Sequence, residues 1–201
     1  MQTFFESIKI VDGIIYNLDL HISRMNRAIK MYYPNTNLIE TLAINIPIKY
    51  KKGLVKCKVY YAASITEIEF SFYHRNYPKG FYYVKDDNIN YNHKYTNRED
   101  LDAHRQMVND GDEVIIVKHN LLTDSTYSNI CLWDGKHWHT PKYPLLKGTK
   151  REQLLKENKI EEKVLLTEDI VNYLKISFIN AMNDLGEREI VIKKINPTKE
   201  D

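Results

Sequence analysis

Two residues set the chemistry this chain could perform. Lys94 stands in Tyr91-Asn92-His93-Lys94-Tyr95-Thr96-Asn97-Arg98, and Asp124 follows one strand later in Leu122-Thr123-Asp124-Ser125-Thr126-Tyr127-Ser128-Asn129. An amine can hold an aldehyde as an imine, and a carboxylate can keep a basic ring nitrogen protonated. The pair therefore suits a cofactor with a carbonyl at one end and such a nitrogen at the other. An anionic group on the same cofactor needs a third site. Gly148, Thr149 and Lys150 open a helix whose free amides and positive dipole end attract anions. His21 and Arg24 share one helix face, and a planar guanidinium matches a phosphate bidentately. Together these are the demands of pyridoxal 5′-phosphate. Each residue alone also has an ordinary reading: Lys94 and Arg24 as solvated cations, Asp124 as an Asx turn, Gly148 as a plain helix start.

The elements that must position these groups follow from hydrophobic period and turn chemistry. Residues 4–11 and 14–16 read as strands joined at Asp12-Gly13, a dipeptide suited to a tight hairpin. A helix follows, capped by Asp19, with Ile22, Met25, Ile29 and Tyr32 at helical spacing until Pro34 ends it. Residues 56–61 and 67–73 read as a second strand pair. The polar, aromatic stretch 76–92 fits a connector containing one short strand. Beyond it the pattern predicts a helix over 98–109, stopped at Asp110-Gly111-Asp112, then strands at 113–117, 129–133 and 136–140. Asp124 is expected on the turn between the first two of these strands. A helix from Gly148 to Asn158, a capped segment at Thr167, a run from Ile176 to Met182 and a strand from Glu189 to Lys194 complete the chain.

Composition narrows the classes. Among 201 residues, 29 are basic and 27 acidic, a net charge of +2, so no basic excess points to nucleic acid. The fifteen tyrosines mostly alternate with apolar residues, as strand packing requires. No apolar run approaches the roughly 18 residues of a membrane span. The N-terminus lacks signal-peptide features, which is the expectation for a cytoplasmic protein. Cys57 and Cys131 lie in strand-like runs without metal-ligand spacing and read as buried free thiols; no metal site is expected.

Several blocks taken together resemble the class IV aminotransferases. These fold-type IV pyridoxal-phosphate enzymes include branched-chain and D-amino-acid aminotransferases and 4-amino-4-deoxychorismate lyase. Phe5-Glu6-Ser7-Ile8 with Asp12-Gly13 is similar to the family's opening hairpin, and Leu20-His21-Ile22-Ser23-Arg24-Met25 to its His-x-x-Arg-Leu helix. Lys94-Tyr95-Thr96-Asn97-Arg98 resembles the lysine segment in the form found in the lyase branch. Thr123-Asp124 with Asn129-Ile130 resembles the Thr-Glu block, and Thr140-Pro141 with 145–151 the phosphate block. Ile179-Asn180-Ala181-Met182 is similar to a late block lining the cofactor.

The resemblance implies an α+β fold. It has a small N-terminal α/β domain (1–78), a connector (79–93) and a larger cofactor domain (94–201), β-rich and barrel-like with helices. It implies Lys94 as the catalytic lysine, with cofactor contacts from Arg24, Lys94, Asp124, Gly148, Thr149, Lys150 and Asn180, and a homodimer. The expected reaction is amino transfer between an amino acid and a keto acid. The alternatives are pyruvate release from aminodeoxychorismate and a cofactor-binding homologue without turnover. Two features depart from the family. The chain is short, and Asp124 stands where Glu is general, withdrawing the carboxylate by about 1.5 Å. Its contact with the ring nitrogen then needs a closer approach, a longer bond or a bridging water. Lys58 and Arg98 read as structural cations.

Overall fold

The computed structural model describes residues 1–192. β1 (Phe4–Val11) and β2 (Ile14–Ile15) meet at Asp12 and Gly13, whose φ values of 49° and 83° are both left-handed. That backbone matches strand twist across a tight hairpin, and Asp-Gly tolerates it. β3 (Leu54–Tyr61) and β4 (Ile65–Phe72) complete a four-stranded antiparallel sheet in the order β2-β1-β3-β4.

Because side chains alternate along a strand, β1 has two unlike faces. Phe4, Ile8 and Ile10 join Val55, Cys57, Val59 and Tyr61 in a core covered by α1 (Leu18–Tyr32) through Met25, Ala28 and Ile29. Glu6 falls on this same buried face and has no exposed surface. The opposite face carries Phe5, Ser7 and Lys9, in register with Tyr60, Lys58 and Lys56. Asn17 rather than Asp19 stands at the N-cap of α1; Asp19 falls in the first turn, and the Asn17 amide donates to Gln153 Oε1 at 2.8 Å instead of capping the helix. Its buried stripe includes His21 and Arg24, while Tyr32 is turned outward.

The second sheet runs β10-β9-β8-β7-β6-β5. In chain order its elements are β5 (Gly80–Lys85), α2 (Glu99–Gln106), β6 (Asp112–Lys118), β7 (Leu121–Ser125), β8 (Asn129–Trp133) and β9 (Trp138–Pro141). There follow α3 (Thr149–Lys156), β10 (Glu161–Lys163), β11 (Lys175–Ile179) and β12 (Glu189–Val191). β5–β6 and β9–β10 are parallel pairs; the other ladders are antiparallel. Ile115, Val117, Leu122, Ile130, Leu132, Ile176 and Phe178 form its main core.

The α+β expectation holds, but the barrel-like second domain does not: among the described residues this sheet stays open. β8 meets β7 only at Asp124↔Asn129, whereas β11 pairs with all five residues of β8 and carries β12 outside it. The sheet therefore branches, and no ladder joins its ends β5 and β10. Asp124 also lies within β7, not on a turn. The β6–β7 turn falls earlier, at His119 and Asn120, both left-handed at φ 50° and 62°. Asn tolerates that conformation without glycine. The expected strand at 189–194 runs Glu189–Val191, and Lys194 is outside the described residues. Both cysteines are buried free thiols, pushed up to about 12 by burial.

The two sheets are tied at the lysine. Phe5 N–H donates to the Lys94 carbonyl and Thr96 N–H to the Thr3 carbonyl, each at 3.0 Å, so residues 94–96 lie beside the open edge of β1. Lys9 on β1 and Lys150 on α3 both reach the Asp184 carboxylate, a second tie. Met25 is fully buried between α1 and the first sheet. Met25→Ala should therefore lower unfolding stability by about 2–5 kcal/mol, measured by urea denaturation.

Candidate active site

A cavity of about 400 Å³ lies between the polar face of the first sheet and the β6–β8 end of the second. Its wall includes Arg24, Lys94, Asp124, Gly148, Thr149 and Asn180, bringing together every sequence-predicted site residue except Lys150. The Lys150 side chain turns away to Asp184 and Gln153. Its backbone amide stays in the first turn of α3.

Lys94 Nζ sits 4.5 Å from the centroid of the Phe5 ring. It is partly accessible from the cavity it lines, yet enough protein surrounds it to disfavour its charge. Burial, reinforced by the positive charge of Arg24, lowers its pKa from 10.5 to about 7. Asp124 is displaced the other way. Burial raises it from 3.8 to about 7, against two hydrogen bonds that favour the carboxylate. Those bonds come from Asn129 Nδ2 at 2.7 Å and Leu146 N at 2.8 Å, one to each oxygen.

Arg24 is not a free cation. Its Nε donates to Glu6 Oε1 at 2.8 Å and its Nη2 to Glu6 Oε2, while His21 Nδ1 lies 2.6 Å from Glu6 Oε2. Burial alone would raise Glu6, but the Arg24 charge and the His21 bond hold it at about 2. Burial lowers His21 against the pull of Glu6, and its Nε2 is buried without a partner among the described residues. The sequence places Glu6 in the Phe5-Glu6-Ser7-Ile8 block and gives it no role of its own. The signal for it is an acid on the apolar face of an otherwise buried strand.

Gly148 has φ −70° and ψ 146°, an ordinary extended backbone, so its lack of a side chain matters for space. A Cβ there would lie 2.0 Å from Asn129 Oδ1. The glycine makes room for the amide that holds Asp124. Asn180 caps the 180–183 turn through Oδ1 and reaches Ser128 Oγ with Nδ2 at 3.1 Å. Arg98 is occupied structurally, donating to the Thr126 carbonyl at 2.8 Å and the Tyr91 hydroxyl at 3.1 Å.

The model of the amino-transferase class IV family matches residues 3–186. The chain belongs to the class IV aminotransferase family. It is 37% identical over 190 residues to a protein of unassigned function from Haemophilus influenzae, covering 92% of this chain and all of the relative. A structure from Haemophilus somnus, proposed to be a 4-amino-4-deoxychorismate lyase, superposes with a TM-score of 0.80 at 26% identity, covering 92% and 98% of the two chains. A proposed amino-acid aminotransferase from Mesorhizobium loti shares the fold at TM-score 0.72 and 16% identity, covering 92% and 97%. Class IV aminotransferases are pyridoxal-phosphate enzymes, and this site's donor set fits that cofactor. An amine with a pKa near neutrality and a buried acid line one cavity, with the first amides of α3 and Arg24 available to an anion. Ser125 Oγ and Thr126 Oγ1, on the same wall, are buried polar atoms without partners among the described residues. They are what a ligand's polar groups would satisfy. Among the described residues no cluster suited to a metal ion occurs.

Two outcomes follow from these burials. Replacing Glu6 by Gln leaves Arg24 buried without its counter-charge and should cost about 3–5 kcal/mol. Glu6 is lowered in the fold, so its contribution is complete above its ordinary 4.5 and is lost as pH falls toward 2. Acid titrations of unfolding should show this dependence in the natural protein and lack it in the Gln variant. Lys94 has the opposite sign: its buried charge penalises the fold below pH 7, and the penalty fades toward 10.5. Cofactor-free Lys94→Met should thus be more stable than the natural chain at pH 6, by on the order of 1–3 kcal/mol. Thermal melts should show that gap narrowing by pH 10.

Proposed function

We propose that the protein is an aminotransferase acting on an amino acid and a keto acid, with Lys94 as the catalytic amine. The observation that carries this reading is the pairing of Lys94 and Asp124 in one cavity, both displaced by burial to about 7 in opposite directions. When bound, pyridoxal phosphate supplies an aldehyde that engages amines and a ring that draws in electrons from a bond broken beside it. Arg24, fixed by Glu6, and the amides of Thr149 and Lys150 would hold its phosphate. Asp124 would serve the ring nitrogen. A cation there favours the carboxylate, so a group half protonated without the cofactor becomes its counter-charge.

Lys94 performs the proton work. An amine with pKa near 7 is substantially uncharged at neutral pH, so Nζ can take a proton from the substrate α-carbon. Phe5 under Nζ limits water at that atom, and the bonds from Thr3 and Phe5 to the 94–96 backbone fix its reach. Delivering that proton to the cofactor side rather than back to the α-carbon, with hydrolysis to release the keto acid, would complete the first half of amino transfer. The reverse steps on a second keto acid would complete the cycle. Loss of a leaving group before that delivery gives a lyase instead. The likeness to the proposed lyase from Haemophilus somnus and the Lys94-x-x-Asn97-Arg98 form favour this second reading.

Borohydride reduction of the protein loaded with pyridoxal phosphate, followed by peptide mass spectrometry, should place the adduct on Lys94. An adduct elsewhere, or no uptake in excess cofactor, overturns the assignment. Amino donors alone should then convert the bound cofactor to its amine form and yield a keto acid. Pyruvate release from 4-amino-4-deoxychorismate, with no added keto acid and no amine form accumulating, would replace aminotransferase by lyase.

A further inference from the structure

Three aspartates in the chain precede glycine, in Asp12-Gly13, Asp110-Gly111 and Asp134-Gly135, and no glycine follows asparagine. Asp-Gly is the aspartyl dipeptide most open to attack by the following backbone nitrogen on the side chain, because glycine puts no Cβ beside that nitrogen and leaves the backbone free to turn. The fold treats the three unequally. Asp12 Oδ1 accepts from Gly53 N–H at 2.9 Å, which ties its carboxylate to the start of β3. Asp134 Oδ1 accepts from two backbone amides, Lys136 at 2.8 Å and His137 at 2.7 Å. Either side chain must give up those bonds before it can swing onto the following nitrogen.

Asp110 has no such restraint. Its side chain is fully exposed, and its one ion pair among the described residues, with Arg105 Nη2, spans 3.8 Å, beyond hydrogen-bond range. The turn around it is built without either reacting group. Asp112 N–H donates to the Asn109 carbonyl at 3.1 Å and Lys79 N–H to the Gly111 carbonyl at 2.6 Å, whereas the Gly111 amide donates to no acceptor among the described residues. Gly111 holds φ 93°, a left-handed conformation that glycine adopts without strain. Carboxyl group and attacking nitrogen are therefore neighbours, and both are uncommitted.

We propose that Asp110 is a site of spontaneous isoaspartate formation, singled out by the fold from the other two Asp-Gly pairs. Gly111 N attacks the Asp110 side-chain carbon and forms a C–N bond; a carboxyl oxygen leaves as water, taking the amide proton and the carboxyl proton, and a five-membered imide closes. Water then adds back at one of the two imide carbonyls. Breaking the bond from nitrogen to the side-chain carbonyl restores aspartate. Breaking the bond to the main-chain carbonyl runs the chain through Cβ and leaves the α-carboxylate free, with no net change in mass and no redox partner. The product sits on the cavity rim, since Gly111 and Asp112 line the cavity and Glu113 beyond them holds Arg188. It adds one backbone carbon between α2 and β6, and it is the kind of residue that a protein isoaspartate methyltransferase accepts.

The test ages the folded chain at neutral pH and physiological temperature, digests it with trypsin, and reads the three Asp-Gly peptides by chromatography and electron-transfer fragmentation, which separate equal-mass isomers. Isoaspartate should accumulate at position 110 about tenfold or more faster than at 12 or 134, where charged hydrogen bonds must break first. Unfolding the chain in urea removes those bonds, and the three rates should converge. D110E, an exposed change that leaves the melting temperature in place, should remove the isomer from peptide 106–118. D110N should form the same imide faster, with ammonia leaving in place of water. Equal accumulation at the three sites in the folded chain overturns the proposal, as does an unmodified position 110 after Asp12 or Asp134 has reacted. A lead at 110 that persists in urea would assign the preference to local sequence rather than to the fold, and also overturns it.

Discussion

The buried carboxylate of Glu6 fixes the relation between β1 and α1 on which the site depends. It occupies an apolar face, where an unpaired charge would be untenable, and Arg24 and His21 surround it from the helix. Such a cluster is a poor source of net stability, since desolvating three polar groups offsets much of their attraction. Its consequence is geometric. With Nε and Nη2 committed to Glu6, Arg24 can turn only its remaining edge to the cavity. The helix cannot rotate or slide without uncovering a charge. A residue that looks like a ligand for phosphate is thus first a fixed element of the fold.

β1 passes this constraint to the lysine. Its outward face supplies Phe5 beneath Nζ, and its edge pairs with residues 94–96. The charge of Arg24 then adds to burial in lowering Lys94, while Glu6 opposes it. One strand therefore sets the position of the amine and the field at it. Across the cavity Asp124 is shifted by the same cause with the opposite sign, burial acting against whichever form is charged. Without a ligand both groups sit near the midpoint of their titrations at neutral pH. A ligand with a basic nitrogen and an anionic group resolves both penalties, which is why the donor set suits pyridoxal phosphate better than either residue suggests alone.

Much of this arrangement was legible in the sequence because it rests on local rules. The Asp12-Gly13 hairpin, the stop of α2 before Asp110-Gly111, and the glycine ahead of α3 follow from backbone preferences of single residues. Lys94, Arg24, Asp124 and Gly148 were legible through ordered blocks and converge on one cavity. What escaped depends on neighbours distant in the chain. The left-handed His119-Asn120 turn carries no glycine, so Asp124 was expected on a turn rather than in β7. The open sheet follows from β8 choosing β11 over β7, a competition that no local pattern records. Glu6 needed the knowledge that its strand face is covered by α1. Lys150 is expected to offer the site its backbone amide, and what no local pattern records is that Asp184, from a distant turn, holds its side chain.

Asp124 poses the sharpest physical question, since it is one methylene shorter than the family's usual acid. Its surroundings bear on this through the donors that hold it. Asn129 Nδ2 and Leu146 N each take one carboxylate oxygen, fixing the acid to β8 and to the loop that leads into α3. The Asn129 amide also bonds the Leu146 carbonyl, and its Oδ1 occupies the space where a Cβ at position 148 would lie. The acid and the helix start are therefore mechanically joined through one asparagine and one glycine. In the proposed roles, the contact to the ring nitrogen and the contact to the phosphate cannot be adjusted separately. A short acid is workable here only if the whole 146–150 segment is set to the same cofactor position, and the shared Asn129 bonds provide that coupling.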